Sequence, residues 1–159
     1  MKGEVRMNYK FWTVVMIQKE DKVLLLNRQH DHFKGYIPPG GKVDFPEGFA
    51  EGAIREVKEE TGLEVQSLVF KGISHYTNPE LYDHFIIYNY WTDDFTGEVL
   101  NSCTEGELEW VKIIEAKHYP MQEDIQVRFD LFFEPGTFEI HTKWDEQNNQ
   151  IDKRIIHKL

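Results

Sequence analysis

Between residues 35 and 41 the chain reads Gly35-Tyr36-Ile37-Pro38-Pro39-Gly40-Gly41, two prolines and three glycines in seven residues. No long helix or central strand can run through such a stretch; it can be only a short extended piece entering a loop. The pattern differs on its two sides. Before it, residues 9–18 are rich in aromatic and β-branched side chains, Lys19-Glu20-Asp21-Lys22 interrupts, and an apolar run resumes over 23–28, which predicts two strands joined by a charged turn. After it, Ala50, Ala53, Ile54 and Val57 recur at three- and four-residue spacing, Gly48 can serve as N-cap with Glu51 three residues on, and Gly62 supplies a stop. A helix is predicted over about 49–61.

Further along, 65–77, 84–91 and 106–112 read as strands, and 124–133 as a second helix with Ile125, Phe129 and Phe132 on one face. The tail, 137–144 and 151–158 around Gln147-Asn148-Asn149-Gln150, has the look of a hairpin. With no repeat or linker in the 159 residues, one domain over 1–159 is expected, with strands and helices interleaved in mixed α/β layers. Hydrophobic residues at 40% supply enough apolar material for a packed core.

Eighteen Lys and Arg oppose 28 Asp and Glu, a net charge of −10, the wrong sign for neutralising a phosphate backbone. Long nucleic acid is not an expected partner, and a phosphorylated substrate would need a metal intermediary. The one cysteine, Cys103, cannot close an intramolecular disulfide, so a reduced cytoplasm suits the chain and a buried thiol is expected. Nothing at the start resembles a signal peptide, and no stretch approaches the roughly 20 apolar residues of a membrane span. A cytoplasmic protein without membrane contact is the expectation.

The helix over 49–61 carries an anomaly. At about 100° of rotation per residue, Glu56, Glu59 and Glu60 share one arc, separate from the arc of Ala50, Ala53, Ile54 and Val57. Carboxylates three and four apart repel, and Glu59 and Glu60 also lie in the last turn, where the helix dipole disfavours anions. A divalent cation held between them is the simplest compensation, so a magnesium site is inferred.

Reading from Gly41, the chain gives five residues, Glu47, seven residues, then Arg55-Glu56-Val57-Lys58-Glu59-Glu60-Thr61-Gly62-Leu63. This resembles the Nudix box at every defined position, over 41–63. With each residue type near 7% of usage, its seven fixed matches have a chance frequency of ~10⁻⁸ per window. The resemblance implies the Nudix fold, a mixed sheet sandwiched between helices (α/β/α), in which the box binds Mg²⁺ or Mn²⁺ and the enzyme hydrolyses a diphosphate linked to another moiety. It implies Glu56, Glu59, Glu60 and a carbonyl of the Gly40-Gly41 pair as metal ligands, with Glu56 or Glu59 orienting or deprotonating the attacking water. Arg55 would be structural, within helical reach of Glu51 and Glu59 and bridging to Glu47. Gly48 departs from the Ser or Thr cap of many relatives.

Outside the box, Arg28 falls where antimutator-type members place a phosphate-binding arginine, Lys42 follows the glycine pair as in many relatives, and Glu105 matches a distal glutamate that completes metal binding or catalysis in several of these enzymes. The resemblance is to the bacterial antimutator branch, which hydrolyses 8-oxo-dGTP, and there Asp124, beside Glu123, would read the purine edge. It implies cleavage of a nucleoside triphosphate to the monophosphate and pyrophosphate. Pro79, 16 residues after Leu63, points instead toward the ADP-ribose hydrolases of the family. Dinucleoside polyphosphates or a capped RNA end rank third. A nucleotide sensor without catalysis, on the same fold, would be expected to have lost box glutamates, and all are present. The resemblance also allows a homodimer.

Three other signals carry less. Lys42 is followed by Val43, so the diglycine is no Walker motif. His30 and His32 flank Asp31 but have no third ligand at fitting spacing. Trp12, Tyr36, Tyr76, Phe85 and Trp91 suggest a base-stacking platform, though most are expected in the core.

Overall fold

The computed structural model describes residues 3–29 and 32–159. β1 (Asn8–Lys19) and β2 (Lys22–Arg28) form the expected antiparallel hairpin. Because successive side chains of a strand point to opposite faces, both strands feed two separate cores. Val14, Met16, Val23 and Leu25 belong to one apolar layer, Val15, Ile17 and Leu24 to the other. The proline-glycine stretch becomes two three-residue strands, β3 (Gly35–Ile37) against β2 and β4 (Gly40–Lys42) against β1.

α1 (Phe49–Thr61) covers the second layer with Ala53 and Val57. Its N-cap is Gly48, whose N–H donates to Glu51 Oε2 at 3.2 Å, and Gly62 closes it in the left-handed conformation. Then come β5 (Glu64–Val65), β6 (Val69–Asn78), β7 (Asp83–Thr92), β8 (Phe95–Thr96), β9 (Ser102–Cys103) and β10 (Gly106–Lys112). Two short helices, α2 (Ile113–Ala116) and α3 (Glu123–Arg128), and a 3₁₀ turn over Asp130–Phe132 seal the first layer with Ala116, Ile125, Phe129 and Phe132. β11 (Phe138–Asp145) and β12 (Gln150–Lys158) form the C-terminal hairpin.

Among the described residues, ten strands join in one mixed sheet, in the order β12-β11-β6-β7-β1-β2-β10-β9, with β3 on β2 and β4 on β1. The β1/β7 and β6/β11 pairs are parallel and the rest of this sheet is antiparallel. With helices packed on both of its faces, this is the expected α/β/α sandwich.

Three expectations need correction. The strand read over 65–77 is divided, because the 66–68 segment is tied to the turn after β7: Gln66 N–H donates to Asp94 O at 2.9 Å and Thr92 Oγ1 to Ser67 O at 2.7 Å. The helix read over 124–133 breaks at Phe129, where the ladder tightens: Phe132 N–H donates to Phe129 O and Phe133 N–H to Asp130 O. Pro135 forbids continuation shortly beyond. Cys103 is half-buried in the edge strand β9, not in the core. Among the described residues, no helix is long and apolar enough to cross a membrane.

Candidate active site

β4 brings the diglycine against β1 with Gly40 opposite Val14 and Gly41 opposite Thr13. A Cβ on Gly40 would overlap the carbonyl of Thr13, and one on Gly41 would overlap the carboxylate of Glu56. Both positions therefore require glycine for close approach, one to backbone and one to a functional side chain.

The carboxylates of α1 fall into distinct environments. Glu60 is 8% exposed, and its Oε2 accepts the Gly40 N–H at 3.2 Å. Burial pushes its carboxyl up to about 8; the Gly40 N–H opposes this, while Glu105 and Glu56 add to it. Glu56 is also raised, first by burial, against the pull of Arg55. Glu59 has 59% of its side chain exposed.

Arg55 ties the box together. Its Nε and Nη2 donate to Glu47 Oε2 and Oε1 at 3.0 and 2.7 Å, and Nη1 to Glu56 Oε1 at 2.8 Å and Glu59 Oε2 at 3.2 Å. Nη2 also reaches the Lys42 carbonyl at 3.0 Å. The fork holds the Glu47 carboxyl down to about 2, helped by the Asp44 N–H. Glu51, also within helical reach, instead caps Gly48.

Of the outlying residues, Glu105 and Arg28 lie at the same end of the site, with Arg28 Nη1 4.0 Å from Glu105 Oε2, and both act on the charge of Glu60. Lys42 is exposed, and its carbonyl takes the hydrogen bond from Arg55. Asp124 lies apart from the box, at the start of α3, paired with Arg128 at 3.2 Å. His30 and Asp31 lie outside the described residues. Pro79 stands exposed in the turn between β6 and β7.

A cleft of about 830 Å³ opens beside this site. Trp12, whose backbone pairs with Lys42 one residue past the diglycine, is in its wall, with Tyr76, Phe85 and Trp144. Phe85 meets Trp12 edge-on and stacks on Tyr76, at centroid distances of 5.6 and 5.4 Å. Three of the five aromatics proposed as a platform are thus together; Tyr36 packs on Tyr119, and Trp91 donates to Gln18. Trp144 and Arg128, both in the wall, escaped the sequence reading. An acid and an arginine four apart on a helix gave the only signal for Arg128.

Among the described residues, no three imidazole, thiol or carboxylate groups already converge on one point. The donor set still fits a hard divalent cation: oxygen ligands only, and a buried carboxylate that a positive charge would keep ionised.

The chain is similar to several known proteins. The uncharacterized Nudix hydrolase YvcI of Bacillus subtilis is 28% identical over 112 residues, 69% of this chain and 70% of its own. An ADP-ribose pyrophosphatase of Methanocaldococcus jannaschii is 46% identical over 57 residues, 34% of each chain. The B. subtilis protein YtkD, provisionally named an 8-oxo-dGTP diphosphatase, is 52% identical over 48 residues, 30% of this chain and 29% of its own. The crystal structure of a MutT protein from Bacillus halodurans superposes with a TM-score of 0.80 at 23% identity, over 92% of this chain and 97% of that one. The NUDIX domain model matches residues 10–131, from β1 through the 3₁₀ turn and so with the carboxylate helix inside it, and the chain belongs to the Nudix family of hydrolases acting on nucleoside diphosphate derivatives.

Proposed function

We propose that this hydrolase is a Mg²⁺-dependent pyrophosphohydrolase that cleaves a nucleoside triphosphate, 8-oxo-dGTP or a related purine nucleotide, to the monophosphate and pyrophosphate. Water adds to a bridged phosphorus and the diphosphate P–O bond breaks. The observation that carries this is the packing of Glu56 and Glu60 against a diglycine strand that leaves no room for a Cβ, beside an aromatic-walled cleft of about 830 Å³.

Glu56, Glu59, Glu60 and Glu105, with a Gly40 or Gly41 carbonyl, would hold the cation. The ion, Mg²⁺ or Mn²⁺, would neutralise charge on the phosphate oxygens, which is most of what phosphoryl transfer asks of a protein. Glu56 or Glu59 would orient the attacking water and accept its proton; Glu59, more exposed and held through a single hydrogen bond to Arg55, is the freer to turn. Arg28 and Lys42 would take phosphate charge, and Asp124 the base. Glu47 and Arg55 position the helix.

ADP-ribose is the second reading, favoured by Pro79 and by the activity named for the M. jannaschii relative. The two separate in a panel of 8-oxo-dGTP, dGTP, GTP, ADP-ribose and diadenosine polyphosphates compared by kcat/KM. A triphosphate should lead, EDTA should abolish turnover, and Glu59→Gln should do the same without change in thermal stability. Full activity in EDTA, or unchanged rates in Glu59→Gln, would overturn the mechanism, and a preference for ADP-ribose would promote the second substrate.

A further inference from the structure

Among the described residues Arg128 is the largest fully buried side chain, 2% exposed, and it has a single side-chain partner. Its Nη1 donates to Asp124 Oδ2 at 3.2 Å, while its Nε is buried with no acceptor among the described residues. A guanidinium carries five N–H donors and cannot shed its charge, so donors left dry and unpaired are costly. Arg128 nonetheless lines the cleft, facing the same space as Trp12, Tyr76, Phe85 and Trp144. A ligand that completes the hydrogen bonding of this arginine is what the arrangement lacks.

The chemistry of that ligand follows from the neighbours. The aromatic walls suit a flat ring, and the Asp124 carboxylate next to the guanidinium repels a phosphate. A cationic donor and an anionic acceptor therefore stand side by side, 3.2 Å apart. Their complement is a ring carbonyl adjacent to a ring N–H, the lactam edge of a 6-oxopurine. A 6-aminopurine presents the reverse order, an amino group beside a bare ring nitrogen. It would set donor against guanidinium and acceptor against carboxylate, and buried polar groups left unpaired in this way reject a ligand strongly.

We propose that Arg128 and Asp124 act as a pair that reads the base, Arg128 donating to the ring carbonyl and Asp124 accepting the adjacent N–H, so that the cleft selects 6-oxopurine over 6-aminopurine nucleotides. This rests on the nucleotide reading above and makes Arg128 a specificity-determining residue of that site.

IMP and AMP differ only at the edge concerned, and their binding needs neither metal nor turnover. Titration of each into the wild-type protein, followed by tryptophan fluorescence, should show IMP bound at least about tenfold more tightly, a modest fraction of what a polar base edge can deliver. In Asp124→Ala and in Arg128→Met, each checked for an unaltered thermal transition, the ratio should fall toward one. Asp124 is half exposed, so its variant keeps the experiment decisive if the buried Arg128→Met does not fold. Equal wild-type affinities, no binding of either monophosphate, or a ratio that survives in a folded variant would overturn the pair. Glu59→Gln should keep the ratio while losing turnover. A failure of triphosphate hydrolysis with the ratio intact would therefore strike the proposed reaction and leave base reading standing, and the converse would strike base reading alone.

Discussion

Gly40 and Gly41 are neighbours with different obligations, and substitution separates them. The methyl of Gly40→Ala would meet the Thr13 carbonyl, a backbone atom that cannot move without parting β4 from β1. Gly40→Ala should therefore cost at least about 2 kcal/mol of stability, visible as a lower Tm. The nearest atoms that the methyl of Gly41→Ala would meet are those of the Glu56 carboxylate, the end of a side chain that can swing away. That variant should keep its Tm within a few degrees yet lose about a hundredfold in Mg²⁺-dependent kcat, since small misplacements of a positioned group are that expensive. Matching losses of stability in the two variants would refute the distinction. The box itself was legible because it is local: Glu56, Glu59, Glu60 and Arg55 lie within six residues on one helix, so spacing alone puts them together. Arg55 reaches Glu47 at 2.7 Å, while Glu51, though within helical reach of Arg55, partners Gly48 as its three-residue spacing from that N-cap leads one to expect. Arg128 was illegible, since nothing in residues 123–128 says that an arginine will be sealed from solvent by distant segments.

At the scale of elements, the strands β6, β7 and β11 set three histidines on one face of the sheet. His75 Nδ1 and His84 Nε2 share a hydrogen bond of 2.9 Å, the rings of His75 and His141 stack at 4.4 Å, and Glu139 Oε2 lies 3.2 Å from His75 Nε2. Thr77 Oγ1 and His141 Nε2 are 2.7 Å apart, and Tyr9 packs against His84. Burial, then the charge of His141, lowers the pKa of His75 and of His84 from 6.5, against the opposing effect of Glu139 on His75. A folded-state pKa below the unfolded one means that the unfolded chain binds more protons as the medium acidifies. The stability contributed by this face is therefore present above about pH 6.5 and lost as pH falls through the lowered folded values. Glu60 has the opposite sign: its carboxyl, raised to about 8, favours the folded state at low pH and ceases to do so as pH rises toward that value. Total stability would mix the two, so the comparison to make is wild type against His75→Gln. Between about pH 7.5 and about pH 5 the variant should lose less Tm than wild type. Parallel Tm curves would show that the histidines titrate alike in folded and unfolded chains. This face could not be anticipated from sequence as a whole, because His141 joins the His75–His84 pair of the β6/β7 hairpin only through a parallel β6/β11 pairing between segments more than sixty residues apart.

Across the whole molecule, the proposed function draws chemistry and recognition from different parts of the chain. The carboxylate helix and diglycine lie within residues 40–61, inside the segment that the family shares, while one wall of the cleft comes from the C-terminal hairpin beyond residue 131. The layered fold was legible because alternation in β1 and β2 and the period of α1 are local patterns. The cleft was not, for it gathers β1, β6, β7, α3, β11 and β12, and no spacing rule joins them. Trp144 makes the division testable. It stands in β11 with its ring 6.2 Å from Tyr76, whereas the hydrogen bonds of Arg55 run to Glu56 and Glu59 on α1. A side chain that only stacks on the base binds ground state and transition state alike, so its loss raises KM and spares kcat. Base stacking on an aromatic is worth about 1–3 kcal/mol, so Trp144→Ala should raise KM for the preferred nucleotide by about 5- to 150-fold while kcat stays within about twofold. A fall in kcat at constant KM would instead mean that the hairpin helps to align the diphosphate with the carboxylates, and that the two ends of the site are not separable.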